Sequence, residues 1–272
     1  MQIEILKLIA LLFRNVGNRS TFDHFYASLY DEIHKEKNYV LEFEKLNSIL
    51  RNLDYLLEGK KILEIGCGTG NFTVLLGLAN QVTATDKSEG MLDVARLKNS
   101  DSQETYLNLS ISAIPDYTRE KFDVVLLWYN VFGYLTRREV DDLVKLCHSH
   151  LKANGILVFD YWDHEGITKR PASETRKFFG SASKYLRIIT PLLKVRFARY
   201  SMFFLLVRLF SMDPKTSPQL LNLEIHKLRF YKSDYLDRVF SQLELCGNWS
   251  LHSGSMYSAD TYSNLKIYRR SQ

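Results

Sequence analysis

Apolar runs rich in β-branched and aromatic residues recur along the first 165 positions, and the stretches between them place their apolar residues three and four apart. The runs predict strands at 61–66, 81–85, 105–110, 122–128 and 156–161. The intervening periodicity predicts helices at 36–57, 71–79, 88–98 and 137–151, with one more at 233–244. Thr136 and Glu139 have the spacing of a capping box at the start of the fourth helix. Strands alternating with helices imply a parallel sheet covered on both faces. The segments 248–256 and 263–269 read as a closing hairpin.

A second pattern follows the fifth strand. On a helical projection Phe178, Ala182, Tyr185, Leu186, Ile189 and Leu193 gather on one side, and Lys177, Lys184, Arg187 and Lys194 on the other. Pro191 would kink or end this helix. The apolar run Met202–Val207 is too short to span a bilayer but long enough to rest in its interface. The first sixteen residues have no basic opening and are interrupted by Lys7 and Arg14. They read as an amphipathic helix rather than a secretion signal. Packed beside 178–210, that helix would make one apolar surface suited to a homodimer or to membrane contact.

Charge sharpens the second pattern. Between Thr168 and Phe210 ten Lys and Arg face one acid, Glu174, a formal +9 in a chain whose total is +5. The remainder therefore carries −4, so the basic character belongs to this insertion. With 272 residues, 46% of them hydrophobic, the chain can bury one substantial core with an appendage. Three cysteines without a Cys-x-x-Cys pair imply neither a disulfide framework nor a metal site, and fit a reducing cytoplasm.

The chemistry concentrates where the first strand ends, in Glu64-Ile65-Gly66-Cys67-Gly68-Thr69-Gly70-Asn71. Gly66, Gly68 and Gly70 can take positive φ and let the main chain approach a nucleoside, while the helix that follows offers unpaired amides. Asn71 stands where a dinucleotide fingerprint has its third glycine, and no Gly-Lys-Ser/Thr follows as in a Walker loop. Cys67 reads as a small packing residue. The second strand ends in Asp86, a carboxylate placed to accept ribose hydroxyls or to cap the next helix.

Through Glu64–Gly70, Asp86, Phe122-Asp123-Val124-Val125 and Leu151–Val158, residues 20 to 165 resemble the class I S-adenosylmethionine-dependent methyltransferases. The resemblance implies an α/β fold: a Rossmann-like seven-stranded, mostly parallel sheet with the closing hairpin antiparallel at its edge and the basic apolar segment inserted after strand five. It implies S-adenosyl-L-methionine as cofactor and S-adenosyl-L-homocysteine as product. By the same resemblance Glu64 orients the cofactor's amino group, Gly66, Gly68 and Gly70 face its methionyl part, Asp86 binds the ribose, Met91 packs near adenine, and Lys87 belongs to the cofactor-binding set. Counting back from Pro115 places Ser110 where many relatives have an adenine-binding acid, with the Ile111 amide beside it. Tyr30-Asp31, Lys37-Asn38-Tyr39 and Leu127–Leu135 look like the branch that dimethylates nucleotide-linked amino sugars, which adds Tyr30, Tyr39 and Trp128 to the cofactor set.

For the acceptor, Tyr129, Asn130, Tyr134, Asp163 and His164 fall where the carboxyl ends of strands four and five should meet. An amine acceptor needs desolvation and alignment, and a hydroxyl also needs a base. His226 is a further base candidate in a segment that reads as structural. Four parts are expected: N-terminal helices or lid at 1–45, the cofactor-binding core at 46–165, the insertion at 166–220, and the end of the core at 221–272. The insertion reads as a lid over a phosphorylated acceptor, as a membrane dock for a lipid-linked one at the inner membrane face, or as a core extension with a solvated basic face. An RNA methyltransferase is disfavoured, because Trp128-Tyr129-Asn130-Val131 stands in place of an Asn- or Asp-Pro-Pro-Tyr sequence. A non-catalytic module would be expected to carry a spoiled glycine turn.

Overall fold

The computed structural model describes residues 22, 24–35, 37–100, 104–163, 229, 231–251 and 263–271. The expected basic helix, the first sixteen residues, His164 and His226 lie outside these. The described strands are β1 (Lys61–Ile65), β2 (Gln81–Asp86), β3 (Thr105–Asn108), β4 (Phe122–Leu127), β5 (Leu151–Trp162), β6 (Glu244–Ser250) and β7 (Ser263–Arg269). They form one seven-stranded sheet in the order β3-β2-β1-β4-β5-β7-β6. The first five in that order are parallel, while β7 runs antiparallel to β5 and β6 antiparallel to β7. This is the Rossmann-like methyltransferase fold. Strand order reverses between β1 and β4, which opens a crevice at their carboxyl ends.

Helices α1 (His24–Ile33), α2 (Tyr39–Arg51), α3 (Asn71–Gly77), α4 (Glu89–Lys98), α5 (Ile114–Tyr117), α6 (Arg137–His150) and α7 (Ser233–Val239) complete the described elements, with 3-10 turns at Ile111–Ala113 and Val131–Tyr134. No described helix is long and apolar enough to cross a membrane. Alternation along the strands sorts the core into two layers. Leu63, Val125 and Leu157 point toward α6 and α7, where Leu143, Leu146 and Leu236 are buried. Ile62, Val124 and Ile156 point the other way, against Leu46 and Leu50 of α2 and Phe72 and Leu76 of α3. Each such side chain contributes about 1.5–3 kcal/mol by leaving water.

Several boundaries differ from expectation for local reasons. The second helix starts at Tyr39 because Asn38 accepts the Leu41 N–H at 3.0 Å, and it ends at Arg51 before Asp54 turns to φ 54°. β5 begins at Leu151 rather than 156. Leu151 pairs with Phe122, then Asn154 at φ 61° absorbs a register shift so that Ile156 pairs with Val124. The exposed run Lys152-Ala153-Asn154 hides this from a hydrophobic count. The last helix stops at Val239, and β6 starts at Glu244 and ends at Ser250. The Thr136–Glu139 capping box forms with both hydrogen bonds in place.

The chain leaves the sheet at Asp163 and rejoins it at Tyr231. These two residues form a parallel bridge, and the Tyr231 N–H donates to the Trp162 carbonyl at 3.1 Å.

One charge is buried in the closing part of the sheet. Lys266 of β7 is wholly buried and donates to the Asp237 carboxylate and, at 3.1 Å, to the Ser233 carbonyl. The Tyr268 hydroxyl donates to the same Asp237 oxygen at 2.8 Å. Burial holds the Lys266 ammonium below its usual range, with Asp237 opposing. Removing only the acid strands a buried cation, whereas removing the lysine leaves a half-exposed carboxylate that water can reach. Asp237→Ala is therefore expected to cost about 3 kcal/mol, and Lys266→Met less than half as much, in urea unfolding. Equal losses would show that the ammonium does not depend on Asp237.

Candidate functional site

The glycine turn sits at the carboxyl end of β1, held by its neighbour. Both the Gly66 and Cys67 N–H groups donate to the Thr85 carbonyl of β2, at 2.7 and 3.0 Å. Gly66, Gly68 and Gly70 all have positive φ, at 77°, 56° and 77°. Two of the three are also closed by packing. A Cβ on Gly66 would lie 2.6 Å from Val131 Cγ1, and one on Gly70 would lie 2.7 Å from Asn99 Nδ2 and 3.1 Å from the Tyr106 hydroxyl. Gly68 differs, because a Cβ there meets nothing within 4 Å. Its bare backbone borders open space, as a ligand cradle requires.

Two acids flank that opening on one sheet face, since Glu64 of β1 pairs beside Ala84 and Asp86 follows two residues later on β2. Asp86 Oδ2 accepts the Gly68 N–H at 2.9 Å and Oδ1 accepts the Ser88 N–H at 2.8 Å. Burial nevertheless pushes its carboxyl above the usual range against those hydrogen bonds. Glu64 is 3% exposed, and its Oε2 has no partner. Burial raises Glu64 to about 7, with Asp86 and Glu104 adding to the rise. The nearby Thr73 hydroxyl opposes this more than either acid adds, yet Thr73 Oγ1 and Glu64 Oε2 make no hydrogen bond of ordinary geometry. A buried carboxyl without a donor is costly unless a ligand supplies one.

An aromatic cluster follows β4. Trp128 stacks on Phe72 with centroids 5.4 Å apart, and Tyr129 meets Tyr39 edge-on at 5.2 Å. The Lys37 ammonium lies 4.3 Å from the Tyr129 ring centroid and 5.7 Å from that of Tyr30. Burial lowers the Lys37 ammonium, while Tyr39, Glu42 and Asp160 oppose that shift. Tyr39 Oη, Tyr129 Oη, Trp128 Nε1 and Asn130 Oδ1 are buried without partners. Asp160 of β5, 5% exposed, accepts the Asn130 N–H on both oxygens at 2.8 Å. Its carboxyl is raised to about 7 by burial, with Glu42 adding and Lys37 subtracting.

Helix α1 is tied to the glycine turn by one carboxylate. Asp31 Oδ1 accepts the Thr69 hydroxyl and the Asn71 amide, each at 2.7 Å, and Oδ2 accepts the Lys98 ammonium at 2.7 Å. Burial opposes ionisation here, but these three donors hold Asp31 below the usual carboxylate range. Tyr30 beside it has its hydroxyl raised by burial, with Asp31 and Asp86 adding.

The structure thus gathers Glu64, the three glycines, Asp86, Trp128, Tyr129 and Asn130 at one edge of the sheet. Met91 is buried at the start of α4, its N–H on the Ser88 hydroxyl at 3.2 Å. Lys87 points outward to Glu139 at 3.7 Å. Ile111 is buried in the core, and the Ser110 hydroxyl is engaged with Ser112 at 3.0 Å. Tyr134 packs edge-on against Phe22 at 5.3 Å. Asp163 faces the other layer, where it bridges Tyr231 and acts on the Lys266 ammonium. Sequence reasoning did not single out Asp160 or Asp31 as site residues, nor Lys37 beyond its place in a motif. Asp160 ends the apolar run Ile156–Phe159 as Asp86 ends its own strand, and that signal was available.

Comparison with known proteins agrees with this architecture. Residues 62–155 match a family profile described as a methyltransferase domain. The ubiquinone biosynthesis O-methyltransferase of Pseudomonas putida is 38% identical over 106 residues, covering 38% of this chain and 44% of that protein. The chain spans less than half the length of the curated relatives it matches. Among solved structures, the CcbJ methyltransferase of Streptomyces caelestis superposes with a TM-score of 0.61 at 16% identity, covering 94% of this chain and all of that one. An S-adenosylmethionine-dependent methyltransferase of Clostridium acetobutylicum gives 0.58 at 16% identity, covering 91% and 98%. At such identities these two structures speak to the fold.

The raised carboxyls make stability depend on pH in a defined window. Glu64 and Asp160 each titrate near 7 when folded and in the ordinary carboxylate range when unfolded. The unfolded chain therefore releases these protons first, so stability falls as pH rises from about 4.5 through about 7. Asp31, Asp123 and Glu139 are lowered instead, and their contribution is lost only as pH falls below the ordinary carboxylate range. Thermal melts of the ligand-free protein should show the Tm declining between about pH 5 and 8, with the decline reduced in Glu64→Gln. An unchanged slope in that variant would remove Glu64 from the account.

Proposed function

We propose that the protein is an S-adenosyl-L-methionine-dependent methyltransferase acting on the nitrogen or oxygen of a small-molecule or lipid-linked acceptor. The observation that carries this reading is the bare, open backbone of Gly68, bonded to the Asp86 carboxylate, with a buried Glu64 carboxyl on the same sheet face that has an unpartnered oxygen. That combination suits a ligand with a cationic amino group at one end and ribose hydroxyls at the other. Glu64 would take the amino group, Asp86 the ribose, and Met91 would pack by adenine, with Tyr30, Tyr39 and Trp128 bordering the site. When bound, the cofactor supplies an electrophilic methyl group on a sulfonium.

The residues of this chain supply alignment and dryness. Phe72, Trp128, Tyr129 and Tyr39 pack against one another at the end of β4 and exclude water there. The unpartnered hydroxyls of Tyr39 and Tyr129 are groups an acceptor can satisfy. The printed name of the Pseudomonas putida relative supports a small-molecule acceptor. The motifs at 30–39 and 127–135 favour the amino-sugar type. The basic apolar insertion at 168–210 is assigned to holding a phosphorylated acceptor or an anionic membrane surface, on the strength of its +9 charge.

Calorimetry with S-adenosyl-L-homocysteine tests the cofactor assignment. Asp86→Ala and Gly68→Val should each weaken binding at least about tenfold, the loss of one charge-assisted hydrogen bond or of the open cradle. Unchanged affinity in both would sink the reading. Binding should strengthen as pH rises through about 7, where Glu64 ionises, and Glu64→Gln should flatten that dependence. A labelled-methyl screen of acceptor extracts then identifies the substrate. For the insertion, sedimentation with anionic liposomes should be salt-sensitive, and equal sedimentation with neutral vesicles would argue against membrane contact.

A further inference from the structure

The turn after β4 holds two consecutive residues in the left-handed region, Tyr129 at φ 61° and Asn130 at φ 58°. Asparagine tolerates that conformation, but tyrosine rarely adopts it. Something must over-determine the turn. The Asn130 carbonyl accepts the Gly133 N–H at 3.0 Å, which closes the following 3-10 turn but leaves the entry from β4 to be fixed separately. That entry is fixed from the neighbouring strand. Both Asp160 oxygens lie 2.8 Å from the Asn130 nitrogen, so one buried carboxyl accepts a single N–H in a forked contact.

We propose that Asp160 is a positioning residue: its grip on the Asn130 N–H imposes the doubly left-handed turn and thereby sets the Tyr129 ring against Tyr39, Phe72 and the Lys37 ammonium. Its role in methyl transfer rests on the functional reading above, whereas its role in the turn does not. The placement follows from alternation along β5. Ile156, Val158 and Asp160 share the face that carries Glu64 and Trp128, so the same layer presents an acid at the ends of β1, β2 and β5. Charged and titratable groups facing Asp160 are Glu42 of α2, Lys37 just before it, and the Tyr129 hydroxyl. On the β7 side its paired neighbour is Leu265, which is apolar. Tyr129 transmits the effect because its ring contacts three residues: Tyr39 at 5.2 Å, Phe72 at 5.8 Å and Lys37 at 4.3 Å. Burial raises the Asp160 carboxyl to about 7, so the grip changes strength around neutral pH.

Amide exchange and heteronuclear NMR on the full chain test this directly. In wild type the Asn130 amide resonance should titrate with an inflection near pH 7, and it should be independent of pH between about 5 and 9 in Asp160→Asn. Exchange of that amide should be about tenfold faster or more in Asp160→Leu, and the Tyr129 ring resonances should move with it. Asp160→Asn, which keeps shape and one acceptor, guards against a variant that fails to fold. Its affinity for S-adenosyl-L-homocysteine should stay within about threefold of wild type, while transfer of labelled methyl at low acceptor falls about tenfold or more. An Asn130 amide and Tyr129 ring indifferent to both substitutions would overturn the proposal, as would transfer by Asp160→Asn equal to wild type. A wild type that neither binds the homocysteine product nor transfers a methyl group would instead overturn the methyltransferase reading, with the turn judged by amide exchange alone.

Discussion

The Thr85 carbonyl, accepting two consecutive N–H groups from the glycine turn, is the contact on which the site depends. A chain that must turn sharply at the end of β1 with three positive φ values loses the ordinary helical and ladder partners for its amides. The last residues of β2 replace them. The Thr85 carbonyl takes the first two amides and the Asp86 side chain takes the third, from Gly68. Because β2 is bound to β1 along five residue pairs, the turn inherits the rigidity of the sheet. The same arrangement brings Asp86 to the edge of the opening while its hydrogen bonds fix its direction.

Strand alternation distributes the remaining chemistry. Glu64, Asp86 and Asp160 occupy one face because each lies an even number of places from an inward aliphatic residue on its own strand. Their shared layer is covered by α2 and α3, so all three are pushed toward the neutral form by burial. The opposite layer carries its polar load differently, as an ion pair between Lys266 and Asp237 with Tyr268 attached. One face stores buried acids at the carboxyl ends of its strands, Glu64 with an oxygen left unpartnered, and the other satisfies its charge internally. The first is what a binding site needs, and the second is a structural solution.

Much of this was legible in the sequence wherever the signal is local. The glycine turn, the acid ending β2 and the capping box at Thr136 are spelled by neighbouring residues, and the structure forms each of them. What was not legible depends on partners far along the chain. Asp31 finds Thr69 and Lys98 only because α1 folds back over the turn, 38 and 67 positions away. Asp160 carries a local signal, the acid that ends the apolar run Ile156–Phe159, but the Asn130 N–H that it holds lies 30 positions earlier and left no trace in the pattern. The start of β5 at Leu151 was hidden by three exposed residues, Lys152 to Asn154, that a register shift makes tolerable.

The paired exit and re-entry at Asp163 and Tyr231 bears on how such a sheet diversifies. Because those two residues are bridged to each other, the intervening 164–230 is closed off at its base, and the strand pairing of β5 with β7 does not record its length. Closing a longer excursion costs only about 0.6 kcal/mol per doubling. The Asp163–Tyr231 bridge is therefore a graft point. A segment of another length could join at these two residues without changing the pairing that holds β5 to β7.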